Sequence, residues 1–325
     1  MRTISLYKII VFLALISGLF ISFITPGTAD AQSLELTNSA GIRITPEFPE
    51  PGAKVEASID AYSLDTTGAR ITWNLDGVLI PGTDDARSVE VFAGKLGEKK
   101  LLSARIEPVQ GAPFTLRRYI TPTAVDIVVE ASTYVPSFYR GRALPSADSE
   151  VRVIAIPQLG DSASSKTLTY QWEQNGNILF GGPVRGKQSI TVSTPRYIGG
   201  YLSVSIFDGE GNRVAHRDIS LTAVPPELHF YEENPLRGLS ELAIRNNLSL
   251  IGDETTVHGE PYFFNMAGEQ KYSWEINGEP GTPTIDPHII TLRKTGGGGT
   301  ANVGLEVMSD LGIPEFLRGG FSINF

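Results

Sequence analysis

Tryptophan occurs three times in this chain, and each time it stands in the same seven-residue frame. The frames are Ile71-Thr72-Trp73-Asn74-Leu75-Asp76-Gly77, Tyr170-Gln171-Trp172-Glu173-Gln174-Asn175-Gly176 and Tyr272-Ser273-Trp274-Glu275-Ile276-Asn277-Gly278. The tryptophans lie 99 and 102 residues apart. Asp-Gly and Asn-Gly tolerate the positive φ angles of a two-residue hairpin turn, so each frame reads as a strand ending in a tight reversal. A fixed period of this length means one structural unit per copy.

The repeat extends on both sides of the frame. Some 29 or 30 residues after each tryptophan comes an apolar run of period two: Leu102, Ala104, Ile106; Leu202, Val204, Ile206; Val303, Leu305, Val307. Alternation of this kind buries one face of a strand and wets the other. Turn glycines follow at Gly111, Gly211 and Gly312, and glycine corners precede at Leu96-Gly97, Ile198-Gly199-Gly200 and Gly296 to Gly299. Upstream, Val55-Ala57-Ile59, Val151-Val153-Ala155 and the stretch around Val257 supply an earlier strand. Proline marks the joins, in Thr121-Pro122-Thr123 and Val224-Pro225-Pro226, where it stops strand pairing and stiffens the connection.

Many short strands with a tryptophan before a hairpin predict an all-β chain of three tandem immunoglobulin-like β-sandwiches. The expected divisions are 1–31 for a signal or anchor segment, then 32–123, 124–223 and 224–325 for the sandwiches. Trp73, Trp172 and Trp274 are the expected centres of the three cores. Short joints predict a semi-rigid arrangement. One helix is expected, over Leu236 to Asn246, because Leu239, Leu242 and Ala243 share a helical face and Pro235 can open it.

The tryptophan frame, the later alternating strand and the turn Phe207-Asp208-Gly209-Glu210-Gly211 resemble PKD-type and bacterial immunoglobulin-like repeats over residues 34–325. Asp126 to Leu144 and Phe230 to Phe264 are similar to segments of uncharacterised exported surface proteins of Patescibacteria. The resemblance implies a seven-stranded sandwich and a cell-surface setting. It implies no ligand, because this architecture hosts many functions.

The first residues carry the pattern of an export signal. Arg2 and Lys8 precede the mostly apolar run Ile9 to Ile24, and Ala29-Asp30-Ala31 offers a small-x-small cleavage site. If residues 1–31 stay attached, they form an N-terminal anchor, the one segment expected to meet a membrane. Their removal, with Arg2, Lys8 and Asp30, takes the formal net charge from −9 to −10. An acidic chain without long basic runs is a poor match for nucleic acid, whose affinity comes from Lys and Arg displacing counterions. The chain has no cysteine, which excludes disulfides, thiolate metal sites and cysteine nucleophiles.

No catalytic, cofactor or metal residue is expected. His216, His229, His258 and His288 lie in no motif and read as surface or edge-strand residues, since catalysis or metal binding needs convergent partners. Gly296 to Gly299 lacks the Lys-Ser/Thr and helix of a phosphate loop and reads as a corner. Calcium would need six to eight oxygens; Asp208, Glu210 and Asn212, or Glu232 and Glu233, offer two or three and read as a solvated turn and an acidic rim. Tyr134, Phe138, Tyr139, Phe230, Tyr231, Tyr262, Phe263 and Phe264 read as packing at the joints. Within that set, Tyr139 and Phe263 are the candidates for an interaction surface. The functional expectation is an exported, non-enzymatic surface protein with a structural or adhesive role and a protein or glycan partner. The alternative is a carbohydrate-binding or accessory module of an envelope assembly.

Overall fold

The structure, a computed structural model, describes residues 40–61, 67–160, 167–196, 200–265, 268–310 and 315–325. The export segment 1–31, Ile198, Gly199 and Gly312 lie outside the described residues. Two compact units are present. Of the described residues, one holds 40–44, Glu56–Val91 and Leu101–Tyr119, and the other holds Thr45–Val55, Phe92–Lys100 and the chain from Ile120 onward. Among the described residues no helix is long and apolar enough to cross a membrane.

The first third of the described chain carries β1 (Ala40–Thr45), β2 (Lys54–Ala61), β3 (Arg70–Leu75), β4 (Val78–Leu79), β5 (Ser88–Phe92), β6 (Lys100–Glu107) and β7 (Phe114–Ile120). They pair as two sheets, β1-β2-β5 and β4-β3-β6-β7. The second third carries β8 (Ala124–Ala131), β9 (Glu150–Gln158), β10 (Thr169–Gln174), β11 (Asn177–Ile178), β12 (Val184–Arg185), β13 (Ser189–Ser193), β14 (Gly200–Phe207) and β15 (Arg213–Leu221). The same two orders recur as β13-β9-β8 and β11-β10-β14-β15, with β12 also on β10. The last third carries β16 (Glu227–Asn234), β17 (Gly238–Leu239), β18 (Asn247–Ser249), β19 (Glu254–Tyr262), β20 (Gln270–Ile276), β21 (Glu279–Pro280), β22 (Ile289–Arg293), β23 (Thr300–Ser309) and β24 (Glu315–Asn324). Its sheets are β17-β16-β19-β22 and β18-β24-β23-β20-β21, with β18 added parallel to β24. In the second and third copies both sheets feed one core: Val153, Ile190, Trp172 and Val204 in one, Val257, Ile290, Trp274 and Leu305 in the other. The chain is three tandem immunoglobulin-like β-sandwiches.

Each sandwich forms around its indole. Trp73, Trp172 and Trp274 are 0%, 1% and 2% exposed, and they pair across the sheet with Ala104, Val204 and Leu305. A buried indole N–H must find an acceptor. In each copy it donates to a backbone carbonyl on the connection to the opposite sheet: Trp73 to Ala86 at 2.8 Å, Trp172 to Lys187 at 2.8 Å, Trp274 to Pro287 at 3.0 Å. The ring therefore fills the core and ties the passing loop to it.

The Asx-Gly pair three residues on does more than turn the chain. Asp76, Asn175 and Asn277 have φ near +50°, and Gly77, Gly176 and Gly278 have φ near +80°, the two left-handed residues of a type I′ reversal. Each Asx side chain also accepts a hydrogen bond from the start of the following long strand, from the amides of Leu101, Tyr201 and Asn302 at 2.8, 3.0 and 2.8 Å. Its own amide donates back to the carbonyl of the same residue. That double clasp sets the register that places Leu102, Leu202 and Val303 inward.

The expected helix over Leu236 to Asn246 is not formed. The Asn234 side chain accepts hydrogen bonds from the amides of Leu236 and Arg237, and Gly238 adopts φ +75°, which no α-helix accommodates. The segment instead folds back as β17 on β16, pairing Glu233 with Leu239, and Ile244 bridges to Phe230. Polar side-chain hydrogen bonds to nearby amides competed with the helix and won.

Removing the indole in Trp172→Ala is expected to cost about 3–5 kcal/mol, and Asn175→Ala about 1–2 kcal/mol through the lost clasp. Urea denaturation followed by circular dichroism measures both; a Trp172→Ala midpoint equal to wild type would contradict the buried placement. Tyr170 gives a pH test. Its hydroxyl is buried without a hydrogen-bond partner among the described residues, and desolvation raises its pKa above the ordinary value. The folded form thus holds its proton more tightly than the unfolded chain. The resulting stability is present in full below pH about 10 and declines as pH rises above it. Tyr170→Phe is expected to be neutral or stabilising at pH 7 and to lessen the loss of stability between pH 9 and 11, read from urea midpoints.

Candidate functional site

The site is built on the outer face of β19, where the second and third sandwiches meet inside one compact unit. Along β19, Val257 and Gly259 face the core. A Cβ on Gly259 would stand 2.2 Å from the Leu305 side chain and 3.3 Å from the Trp274 ring, so glycine is required there. Period two then sends His258, Glu260 and Tyr262 to the opposite face. That face is covered by residues 132–149, the long connection between β8 and β9. The backbone fixes it in place: Phe263 N–H donates to the Tyr134 carbonyl at 2.7 Å and Tyr134 N–H to the Phe264 carbonyl at 2.8 Å. Phe263 takes φ +56° to do so, a left-handed conformation that bulky residues adopt at a cost.

Aromatic rings interlock across this joint. Phe138 meets Tyr231 edge-on at 5.2 Å, and Tyr139 meets Tyr262 at 5.3 Å and Phe263 at 6.0 Å. The hydroxyls of Tyr231 and Tyr262 hydrogen-bond at 2.8 Å. Burial, together with this bond, raises the Tyr262 pKa above its ordinary value. Phe230 and Phe264, expected at the joint, belong to the core of the third sandwich instead. Phe263 is 9% exposed, so it presents no stacking face; Tyr139 is half-buried. Beside these rings opens a cleft of about 440 Å³, with Phe138, Tyr139 and Arg140 from one sandwich and Tyr231, Ser240 and Glu241 from the other.

Further along the same face, His258, Glu260 and His288 converge, with one donor atom from each lying within 4.8 Å of the others. His288 arrives from the residue just before β22, whose Ile289 pairs with His258, and its carbonyl accepts from Gly259 N–H at 2.8 Å. Glu260 is 5% exposed. Its Oε2 accepts from the Tyr134 hydroxyl at 3.1 Å, while Oε1 stands 3.7 Å from His258 Nδ1 and 3.8 Å from His288 Nε2. His258 Nε2 donates to Glu233 Oε2 at 2.8 Å. Desolvation and the Glu260 carboxylate together push the Tyr134 hydroxyl pKa up, and the Tyr272 hydroxyl, at the same cluster, shifts the same way for the same two reasons. This set departs from the expectation of surface or edge-strand histidines without convergent partners. The signal available in the sequence was His258-Gly259-Glu260, two chemistry-bearing residues two apart on one strand.

The other singled-out residues stay apart from it. His216 lies between Ser205 and Asp218, and His229 pairs with Glu227 and packs edge-on against Tyr262. Desolvation opposes ionisation of Asp208, but hydrogen bonds donated by Asn212 and Glu210 outweigh it and hold the carboxyl below its ordinary value. Those bonds keep Asp208, Glu210 and Asn212 as a self-contained turn. Glu232 accepts from the Thr255 hydroxyl at 2.9 Å and Glu233 from His258. Thr300 opens β23 directly after Gly296 to Gly299, as a corner requires.

No protein-family model matches the chain. No curated protein sequence matches it. Among solved structures, the three N-terminal domains of the bacteriophage RB49 highly immunogenic outer capsid protein match at 8% identity and TM-score 0.25, covering 88% of this chain and 98% of that one. The central fibronectin-III array of RIM-binding protein matches at 14% identity and TM-score 0.28, covering 86% and 96%. A Bacteroides ovatus mixed-linkage glucan utilization locus protein, SGBP-B, solved with a mixed-linkage heptasaccharide, matches at 15% identity and TM-score 0.21, covering 87% and 70%. At these scores the likenesses assign neither a family nor a partner.

Tyr139→Ala removes two edge-on ring contacts and is expected to destabilise the second and third sandwiches by about 2 kcal/mol. Limited proteolysis should then cut residues 132–149 faster than in wild type. Unchanged cleavage and an unchanged urea midpoint would show that these rings do not hold the joint.

Proposed function

We propose that this chain is an exported, non-enzymatic surface protein of tandem sandwiches that engages a partner through the aromatic cleft between the second and third. The cleft is the observation that carries this reading. It joins an exposed ring, Phe138, and a half-buried one, Tyr139, to charged and hydroxyl groups at Arg140, Glu241 and Ser240. Aromatic anchors beside a polar rim are what recognition surfaces share. Packing across the joint holds both walls in place, so little ordering is needed on binding, and preorganisation of this kind favours affinity. The export pattern at residues 1–31 supports a surface setting, and the tryptophan frame supports a PKD-type repeat akin to exported proteins of Patescibacteria. In this reading the sandwiches act by surface complementarity as structural or adhesive modules.

A carbohydrate partner is the second reading, favoured by the same pair of neighbouring rings, since sugar faces stack on aromatic side chains while hydroxyls meet Arg140, Ser240 and Glu241. A glycan array and a capture experiment on surface proteins from the source cells, both with the full chain, separate the two. Phe138→Ala is expected to weaken binding to the true partner by about thirtyfold, the loss of a hot-spot residue worth about 2 kcal/mol. Saturable glycan binding lost in this variant supports the carbohydrate reading, and a captured protein lost in it supports the adhesive one. A partner whose affinity is the same for Phe138→Ala and Arg140→Glu as for wild type would overturn the assignment of the cleft.

A further inference from the structure

We propose that His258, Glu260 and His288 form a binding site for one divalent transition-metal ion of the zinc class, independent of the cleft. The hydrogen-bond directions lead there. A carboxylate can only accept, so His258 Nε2, 2.8 Å from Glu233 Oε2, carries the proton. In the neutral imidazole this tautomer presents the Nδ1 lone pair toward Glu260 Oε1 at 3.7 Å. Two acceptors face each other across a gap too wide for a hydrogen bond, and His288 Nε2 stands 3.8 Å from the same oxygen. A cation held between the three removes the conflict and compensates the buried Glu260 charge.

The spacing fits a small ion. Bonds of about 2.0–2.1 Å to nitrogen and oxygen in a tetrahedral site put ligand atoms about 3.3–3.4 Å apart, so Glu260 Oε1 closes on each histidine nitrogen by about 0.4 Å, and side-chain rotation draws in the two histidine nitrogens, which lie within 4.8 Å of each other. Two imidazoles and a carboxylate suit zinc, nickel or copper rather than calcium, which takes oxygen ligands. The outer contacts are those of a built metal site. Glu233 orients His258 through its distal nitrogen, and the Tyr134 hydroxyl holds the second Glu260 oxygen. His288, with 34% of its side chain exposed, gives the ion a way in, and the fourth position is left for water or a partner's ligand. Because Tyr134 belongs to the second sandwich and the three ligands to the third, the bound ion also braces the joint.

Isothermal titration of the chelator-treated full chain with zinc chloride, with equilibrium dialysis for stoichiometry, tests this. One ion per chain is expected. His288→Ala and Glu260→Gln should weaken binding by more than about a hundredfold, and Tyr134→Phe and Glu233→Gln by about ten- to a hundredfold. His216→Ala and His229→Ala should leave it unchanged, calcium chloride should give no saturable heat, and zinc should raise the melting temperature of wild type but not of His288→Ala. Circular dichroism of His288→Ala, whose side chain is partly exposed, confirms that the variant is folded. Absence of saturable zinc binding, or binding that survives in folded His288→Ala, would overturn the site and leave the cluster as a protonated histidine–carboxylate pair.

Discussion

A buried indole makes two demands at once: exclusion of water from its ring and an acceptor for its single N–H. Both are met three times over in this chain. The ring of each tryptophan sits between two sheets, and its N–H reaches a carbonyl on the segment that crosses from one sheet to the other. Core filling and loop placement thus depend on one side chain, which matters in a chain with no cysteine to link its sheets. The Asx clasp three residues later converts the position of the tryptophan into the register of the neighbouring long strand. With the register fixed, strict alternation decides every other inward residue of that strand.

The same alternation generates the functional face. On β19 the inward positions are spent on Val257 and on a glycine that the Trp274 and Leu305 side chains leave no room to enlarge. The outward positions are then free to carry chemistry, and they carry His258, Glu260 and Tyr262. In an isolated sandwich these would be solvated. Here the connection between β8 and β9 lies over them, joined by a two-bond backbone bridge at Tyr134, so aromatic rings meet and a carboxylate becomes buried. Burial is what turns ordinary surface residues into a site, because charge and unpaired donors matter most where water is excluded.

The tandem sandwich architecture was readable from the tryptophan frames because it follows from local rules: turn chemistry at Asp76, Asn175 and Asn277, and period-two burial at Leu102, Leu202 and Val303. The segment from Leu236 to Asn246 misled because its apolar spacing satisfies a helix, while the Asn234 side chain and the left-handed Gly238 settle the matter through contacts that spacing does not encode. The clustering of rings at the joint was visible in the sequence. The assignment of Phe230 and Phe264 to the core, and the burial of Phe263, were not, since all depend on which side of β16 and of the end of β19 faces inward. His288 was the least legible residue. It lies 30 positions from His258 and meets it only through the pairing of β19 with β22.

The dependence on three water-excluded, hydrogen-bonded indoles can be measured directly by hydrogen exchange at the Nε1 positions of the full chain labelled with ¹⁵N-tryptophan. Three dispersed indole resonances are predicted, each exchanging orders of magnitude more slowly than a free indole. Any one of the three exchanging at the rate of a solvent-exposed tryptophan would contradict the indole-centred organisation of that sandwich.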